Sequence, residues 1–433
     1  MRTAPALSQN PTLRRLLGKW DLTALGVNQV IGGAIFLLPS QVAAQVGNWS
    51  PIAFVLAGVA SLFVALCFAE VGSRFERTGG PYLYTRAAFG QFTAFEIGWM
   101  QWFTRVASQA SILNGLALAL AFYWPAMKQG TSRAVLITVL TLGLGVINAL
   151  GIRQSSFVVN LLTIAKLVPL AIFIAIGLFF VDWSRLSLLP ELSAGQAATA
   201  GLLLIFAYGG FDVLSVPAGE ATAPRRDVPF AFITTIAAVT LIMTLCKIIA
   251  MTVLADVTKS TTPVADAAMQ FLGPMGAAMI GIGSVISISG NNAGAVLAGS
   301  RMLFALAEND ALPGFFRKIH PVYRTPVNAV WFTTLVALVL ALTGSFAFLA
   351  AASAVARLVT YSGVAAAAIA LRRPKFDGQV QPATFSIPFG PVVPALAILV
   401  SLAILAGASW AQLRAGGIAL AAGAVLFGIH RRW

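Results

Sequence analysis

The chain has 433 residues, of which 58% are hydrophobic and 10% charged, with a net charge of +14. A soluble domain holds about 25% charged residues, so a water-soluble protein is excluded and an all-α polytopic membrane domain is implied. The positive charge does not point to nucleic acid, because its placement follows membrane topology.

Residues 1–20 read as a cytoplasmic tail containing Arg14, Arg15 and Lys19. The apolar run behind it is too long for a signal-peptide core and has no small-residue cleavage site, so it reads as a retained span. Spans of about 20 apolar residues fall at 22–46, 52–73, 90–121, 134–151, 156–181, 198–219, 230–255, 275–306, 327–344, 347–371, 390–409 and 413–430. Few of them alternate as barrel strands do, so twelve transmembrane helices are expected, the third and eighth tilted because they exceed the bilayer's need. The longest cytoplasmic loops are 74–89, 308–326 and 372–389. With the N-terminus inside, Arg and Lys crowd these loops and both tails. Only Lys128, Arg133, Arg185, Lys259 and Arg414 fall outside. That asymmetry orients the chain with both termini cytoplasmic.

The first run is interrupted by Gly32, Gly33 and Ala34, between Asn28 and Pro39. The sixth is interrupted by Gly209 and Gly210, between Phe206 and Asp212. Paired glycines are poor helix formers, and unwound backbone at membrane depth is tolerated only where it is buried or lines a cavity. The breaks lie 177 residues apart. Five spans fit in that interval, an odd number, so two five-helix repeats would lie inverted, at 21–181 and 197–371, with helices 11–12 and a tail at 389–433. Such a pair of breaks points to a midplane binding site. At the first, amides opening a new half-helix would offer their dipole to a carboxylate. At the second, carbonyls from Phe206 to Gly210 would take an ammonium, and Phe206 and Tyr208 would wall the site.

Charged residues within spans are functional candidates by default. Asp212 follows the second break, as a coupling group or as a hydrogen-bond acceptor that holds a gate. Lys166 lies at the middle of the fifth span, able to carry a proton or to stand as a fixed cation between the first and eighth spans. Arg105 either faces the cavity, where it would repel cationic side chains, or pairs with Glu96 or Asp212. Lys247, Arg301 and Arg357 are the other cations within spans. Glu220 is expected to pair with Arg225 or Arg226, and Glu70 to belong to a cytoplasmic gate or an ion pair. Cys67 and Cys246 read as packed thiols. His320 and His430 fall in cytoplasmic segments, so no histidine serves as a proton relay within the membrane. No hydrolase or metal-ligand motif argues for an intramembrane enzyme, and no polar rings argue for a channel. No metal or cofactor is expected.

The chain resembles the amino acid–polyamine–organocation transporters in four places: Ile31 to Pro39; Ala69 and Glu70 with Gly79 to Tyr84; Phe206 to Asp212 with Ala218 to Glu220; and Ser300 to Ala305 with Asp310 to Pro313. The resemblance implies a LeuT-like, five-plus-five inverted-repeat fold with helices 1 and 6 broken. It implies a substrate site of Asn28, Ile31, Gly32, Gly33, Ala34, Phe206, Ala207, Tyr208 and Gly210. It also implies that Lys166 occupies the place of a sodium ion. Arg105, Phe206 and Glu70 are, from their positions and chemistry, the candidates that gate or select. The stretch around Asn28 is similar to the arginine/agmatine exchangers, but their Gly-Ser-Gly is Gly32, Gly33 and Ala34 here. Their sixth-helix glutamate is Asp212, and Arg105 stands where they are uncharged. These departures point to a neutral amino acid. The expected activity is proton symport across the inner membrane, with exchange as the alternative, without sodium, as a monomer or homodimer.

Overall fold

The computed structural model describes residues 15–120, 124–127, 129–186, 191–406, 408 and 410–430, without the side chains of some helical residues, Leu37 and Phe206 among them. Arg14 and Lys128 lie outside the described residues. Among the described residues the helices are α1 (Lys19–Val30), α2 (Ala34–Val46), α3 (Ser50–Gly72), α4 (Pro81–Phe89), α5 (Gln91–Leu120), α6 (Thr131–Leu150), α7 (Ile152–Gly177), α8 (Ala194–Tyr208), α9 (Pro224–Val253), α10 (Pro263–Glu308), α11 (Val327–Thr343), α12 (Phe346–Ala370), α13 (Val392–Ala406) and α14 (Trp410–His430). Extended pairing among them is confined to two isolated bridges, Leu17 with Ala221 and Asp377 with Val380.

Among the described residues, seven stretches are long and apolar enough to cross a membrane by length and composition: Leu38–Gly72, Thr131–Leu150, Phe157–Phe180, Pro224–Val253, Pro263–Glu308, Ala352–Ala370 and Leu413–His430. Helix also occupies the other predicted runs, as α1, α5 and the shorter apolar α8, α11 and α13.

The structure differs from the sequence expectation in three places. The run 74–89, expected to be a loop, contains α4, because Pro81 opens it with a preset φ and Gly79 and Gly80 turn the chain at φ 133° and 42°. The helix α10 bends sharply at Gly273 (φ 65°, ψ −162°), so the eighth run is its second part. The sixth run is α-helical only to Tyr208. It continues as a 3₁₀ segment, Phe211–Glu220, that leaves helical geometry at Pro217.

Packing is inverted relative to a soluble protein. On α7, Leu161, Ile164 and Val168 are exposed, whereas Thr163, Lys166 and Leu170 are buried. The apolar side therefore faces outward, as lipid requires, and the polar side faces the bundle. The helices α3 and α9 pack together, as do α5 and α12, and α10 lies against α5 and α7. Where these layers meet, Phe68 contacts Phe211, Phe232 and Tyr361 in edge-to-face or tilted pairs, and Phe211 stacks on Tyr361 at 5.2 Å. Such pairs contribute about 0.5–1.5 kcal/mol each beyond area burial. This aromatic core fixes the segment that follows the second break.

Candidate functional site

The first break is three residues long, Ile31 to Gly33, between α1 and α2. Its amides do not all behave alike. The Gly32 N–H donates to the Val30 carbonyl at 2.8 Å, so it is already bonded. Gly33, Ala34 and Ile35 open α2, where the first amides have no intrahelical acceptor. Pro39 lies at the sixth position of α2 rather than in its first turn, and so removes the bond that would reach the Ile35 carbonyl.

The carbonyls on the α1 side are taken by protein donors. Lys166 Nζ donates to the Asn28 carbonyl at 3.0 Å, Ile31 at 2.6 Å and Ser287 at 3.3 Å. Ser287 Oγ donates to Ile31 and Gly32 at 2.8 and 3.1 Å, and Asn291 Nδ2 to Gln29 at 2.7 Å. Asn28 Nδ2 and Gln29 Nε2 return bonds to the carbonyls of Gly290 and Asn291. Lys166 therefore stands where the negative end of the α1 dipole needs a cation, and it ties α1 to α10. All three of its donors have acceptors. Pro169, three residues on in α7, removes a helical bond beside it.

The sequence marks Lys247 as a cation within a span but assigns it no role. It is fully buried on α9 and donates to the Pro39 carbonyl of α2 at 2.7 Å. The two half-helices thus each carry a buried amine from a different neighbour.

At the second break Gly210 has φ 131°, in the region open to glycine. A Cβ built there would lie 2.5 Å from the Gln29 carbonyl oxygen, so the second break lies against the backbone of the last turn of α1. Ala207 is buried. The Tyr208 hydroxyl donates to the Phe54 carbonyl of α3 at 2.9 Å. The Phe206 side chain lies outside the described residues.

Asp212 is fully buried and well supplied with donors. Oδ2 accepts from Gln101 Nε2 and Arg105 Nη2, each at 2.6 Å, and Oδ1 from the Tyr361 hydroxyl at 3.0 Å. Arg357 Nε lies 3.9 Å from Oδ1. Of the two partners expected for Arg105, the structure selects Asp212. Gln101, Tyr361 and Arg357 were not anticipated here. The available signal was the polar stripe Gln101, Arg105 and Gln109 at every fourth position of α5, one helix face.

The end of the bundle that holds the N-terminal segment is tied by ion pairs. Glu220 does not pair with Arg225 or Arg226. Both its oxygens accept from Arg301, at 2.7 and 3.3 Å, with both side chains fully buried. Glu220 sits in the 3₁₀ segment, whose turn aims the carboxylate at α10 rather than forward along the chain. Arg225 instead donates to the carbonyls of Ser73 and Pro382. Glu70 accepts from Arg372 with both oxygens and from the Ile387 amide at 2.7 Å, joining the ends of α3 and α12. Leu16 and Leu17 donate to the Glu220 carbonyl.

The amino acid permease family pattern matches residues 17–421. The branched-chain amino acid permease BcaP of Bacillus subtilis (strain 168) is 30% identical over 99% of this chain and 95% of its own length. The methylthioribose transporter of the same organism is 28% identical over 95% and 92%. Its serine/threonine exchanger SteT is 30% identical over 91% of both chains. The chain belongs to the amino acid permease family, and it is a multi-pass membrane protein.

Proposed function

We propose that this member of the amino acid permease family is a secondary carrier, not an enzyme, that moves neutral amino acids across the inner membrane by alternating access. The observation that carries the reading is the approach of the second break to the end of α1, Gly210 against the Gln29 carbonyl, beside a fully buried lysine and a fully buried aspartate. In this reading the amides of Gly33, Ala34 and Ile35 take the substrate carboxylate, and carbonyls of residues 206–210 take its ammonium. Twelve spans form two inverted five-helix repeats, 21–181 and 197–371, plus two further helices, with both termini cytoplasmic.

Coupling is to protons, through Lys166 and Asp212, and not to sodium. Lys166 meets three carbonyls at the place where a metal cation would otherwise be needed. Exchange is the second reading. The full coordination of Lys166 suits a fixed cation, and SteT is named as an exchanger. The pairs Glu70–Arg372 and Glu220–Arg301 hold the cytoplasmic side shut and must separate for inward release. Substrate shifts the states only through its different affinity for each.

The test is uptake of labelled amino acids into proteoliposomes, with and without a proton gradient, sodium and internal substrate. Saturable uptake that follows the proton gradient is expected, together with loss of that dependence in Lys166→Ala. An unchanged pH profile in that variant would overturn the coupling role. Binding of an amino acid amide as tight as that of the free acid would overturn the carboxylate role of α2.

A further inference from the structure

The cluster around Asp212 does not balance its charge. Arg105 on α5 and Arg357 on α12 are 2% and 6% exposed, against one fully buried carboxylate. A guanidinium keeps its proton in proteins, so two fixed positive charges face one negative charge. The remaining members are neutral donors: Gln101 and the Tyr361 hydroxyl both donate to Asp212. Glu96, nine residues before Arg105 on α5, lies against Gly423 of α14 and does not reach the cluster.

The hydrogen bonds show the same surplus. Asp212 accepts from Gln101, Arg105 and Tyr361, whereas Arg357 approaches it no closer than 3.9 Å. Among the described residues of the cluster, Arg105 Nε and Arg357 Nε are buried donors without an acceptor, and Gln101 Oε1 is the one buried acceptor without a donor. A buried charge left unpaired costs several kcal/mol, and orphaned donors add to that cost. The guanidinium of Arg357 also lies over the second break, so close that a side chain at position 209 would overlap it. Only glycine leaves that space.

We infer that Arg357 and Arg105 form an anion subsite at the second break, which takes one small monovalent anion. The chemistry is that of a carboxylate held by guanidinium forks, or of a halide ion in the same place. Its place in the carrier rests on the transport reading, but the subsite itself rests on charge and geometry. If the anion is the side-chain carboxylate of the substrate, the carrier's class is acidic amino acids. If it is a halide, the substrate stays neutral and the halide completes the site.

Thermal unfolding of the purified full chain in detergent, in chloride-free gluconate buffer, tests this. Sodium chloride forms one arm, and sodium aspartate and glutamate the other, with leucine and serine as neutral controls. A saturable rise in melting temperature is expected in one anion arm. Arg357→Met should raise its half-saturating concentration more than about tenfold, and Arg357→Lys, which keeps the charge, should raise it less. A flat response of the wild-type protein to both anions overturns the inference, whether or not either variant folds, and so does an Arg357→Met response equal to that of wild type. Stabilisation by leucine or serine with no anion effect sinks the subsite but keeps the carrier. A chloride response with no amino acid response sinks the carrier reading but keeps the subsite.

Discussion

At the first break, protein donors close on backbone: Lys166, Ser287 and Asn291 reach the carbonyls of Asn28, Gln29, Ile31 and Gly32. At the second, side-chain charges gather on a single carboxylate, and Asp212 is held by Arg105, Gln101 and Tyr361. The first is thus set by short-range bonds to backbone carbonyls, with Lys166 as its one titratable donor. The second is set by ions whose balance a bound group can alter. One half of the site is preorganised, and the other is poised to respond.

The largest expected effect strikes the charged side. Asp212→Asn removes the counter-charge of two buried guanidiniums and should cost about 3–5 kcal/mol, read as a large drop in melting temperature and loss of uptake. A variant that melts with the wild type would show that the network is not what holds the second break. Lys166→Met attacks the first break and strips three carbonyls of their donor. About 1.5–3 kcal/mol is expected, with substrate affinity falling more than stability, measured by binding and unfolding on the same samples.

Gly210→Ala tests the seam between the two. Its φ of 131° and the approach to Gln29 should cost about 1–2 kcal/mol at least, and transport should slow with the charged network intact. Glu70→Gln lies outside both breaks and weakens a partly exposed pair, by about 1 kcal/mol. Its readout is faster thiol labelling of buried Cys67, one turn away on α3, from the cytoplasmic side. Asp256→Ala should do least. This fully exposed carboxylate caps a short turn through Thr258, and those bonds hold it below the usual carboxylate range. Its small contribution is present above the unfolded carboxylate range and is lost as pH falls through the folded value. Unfolding curves of wild type and variant should therefore coincide at low pH.

The sequence was most legible where physics acts locally. Paired glycines marked both breaks, and apolar runs marked the helices, because each signal sits within a few residues. Asp212, Lys166 and Arg105 stood out because charge inside apolar runs is costly. Their partners were less legible. Arg357, Tyr361 and Gln101 reach Asp212 from two other helices, and Arg301 rather than nearby Arg225 meets Glu220. Those pairings depend on helix rotation, which span counting does not give. The helix α4 was missed because nine residues with mixed polarity read as a loop, and burial of Tyr82 and Tyr84 stabilises it.

The pairing of Leu17 with Ala221 has a consequence for biosynthesis. The start of the chain finds its partner only after about 200 more residues have been made, which at about 5–20 residues per second takes on the order of 10–40 s. Through that interval the Leu16 and Leu17 amides have no native acceptor, and the first helices sit in the bilayer with this end unlatched. Ribosome stalling before residue 221 should therefore leave this segment open to protease, and release past α9 should protect it.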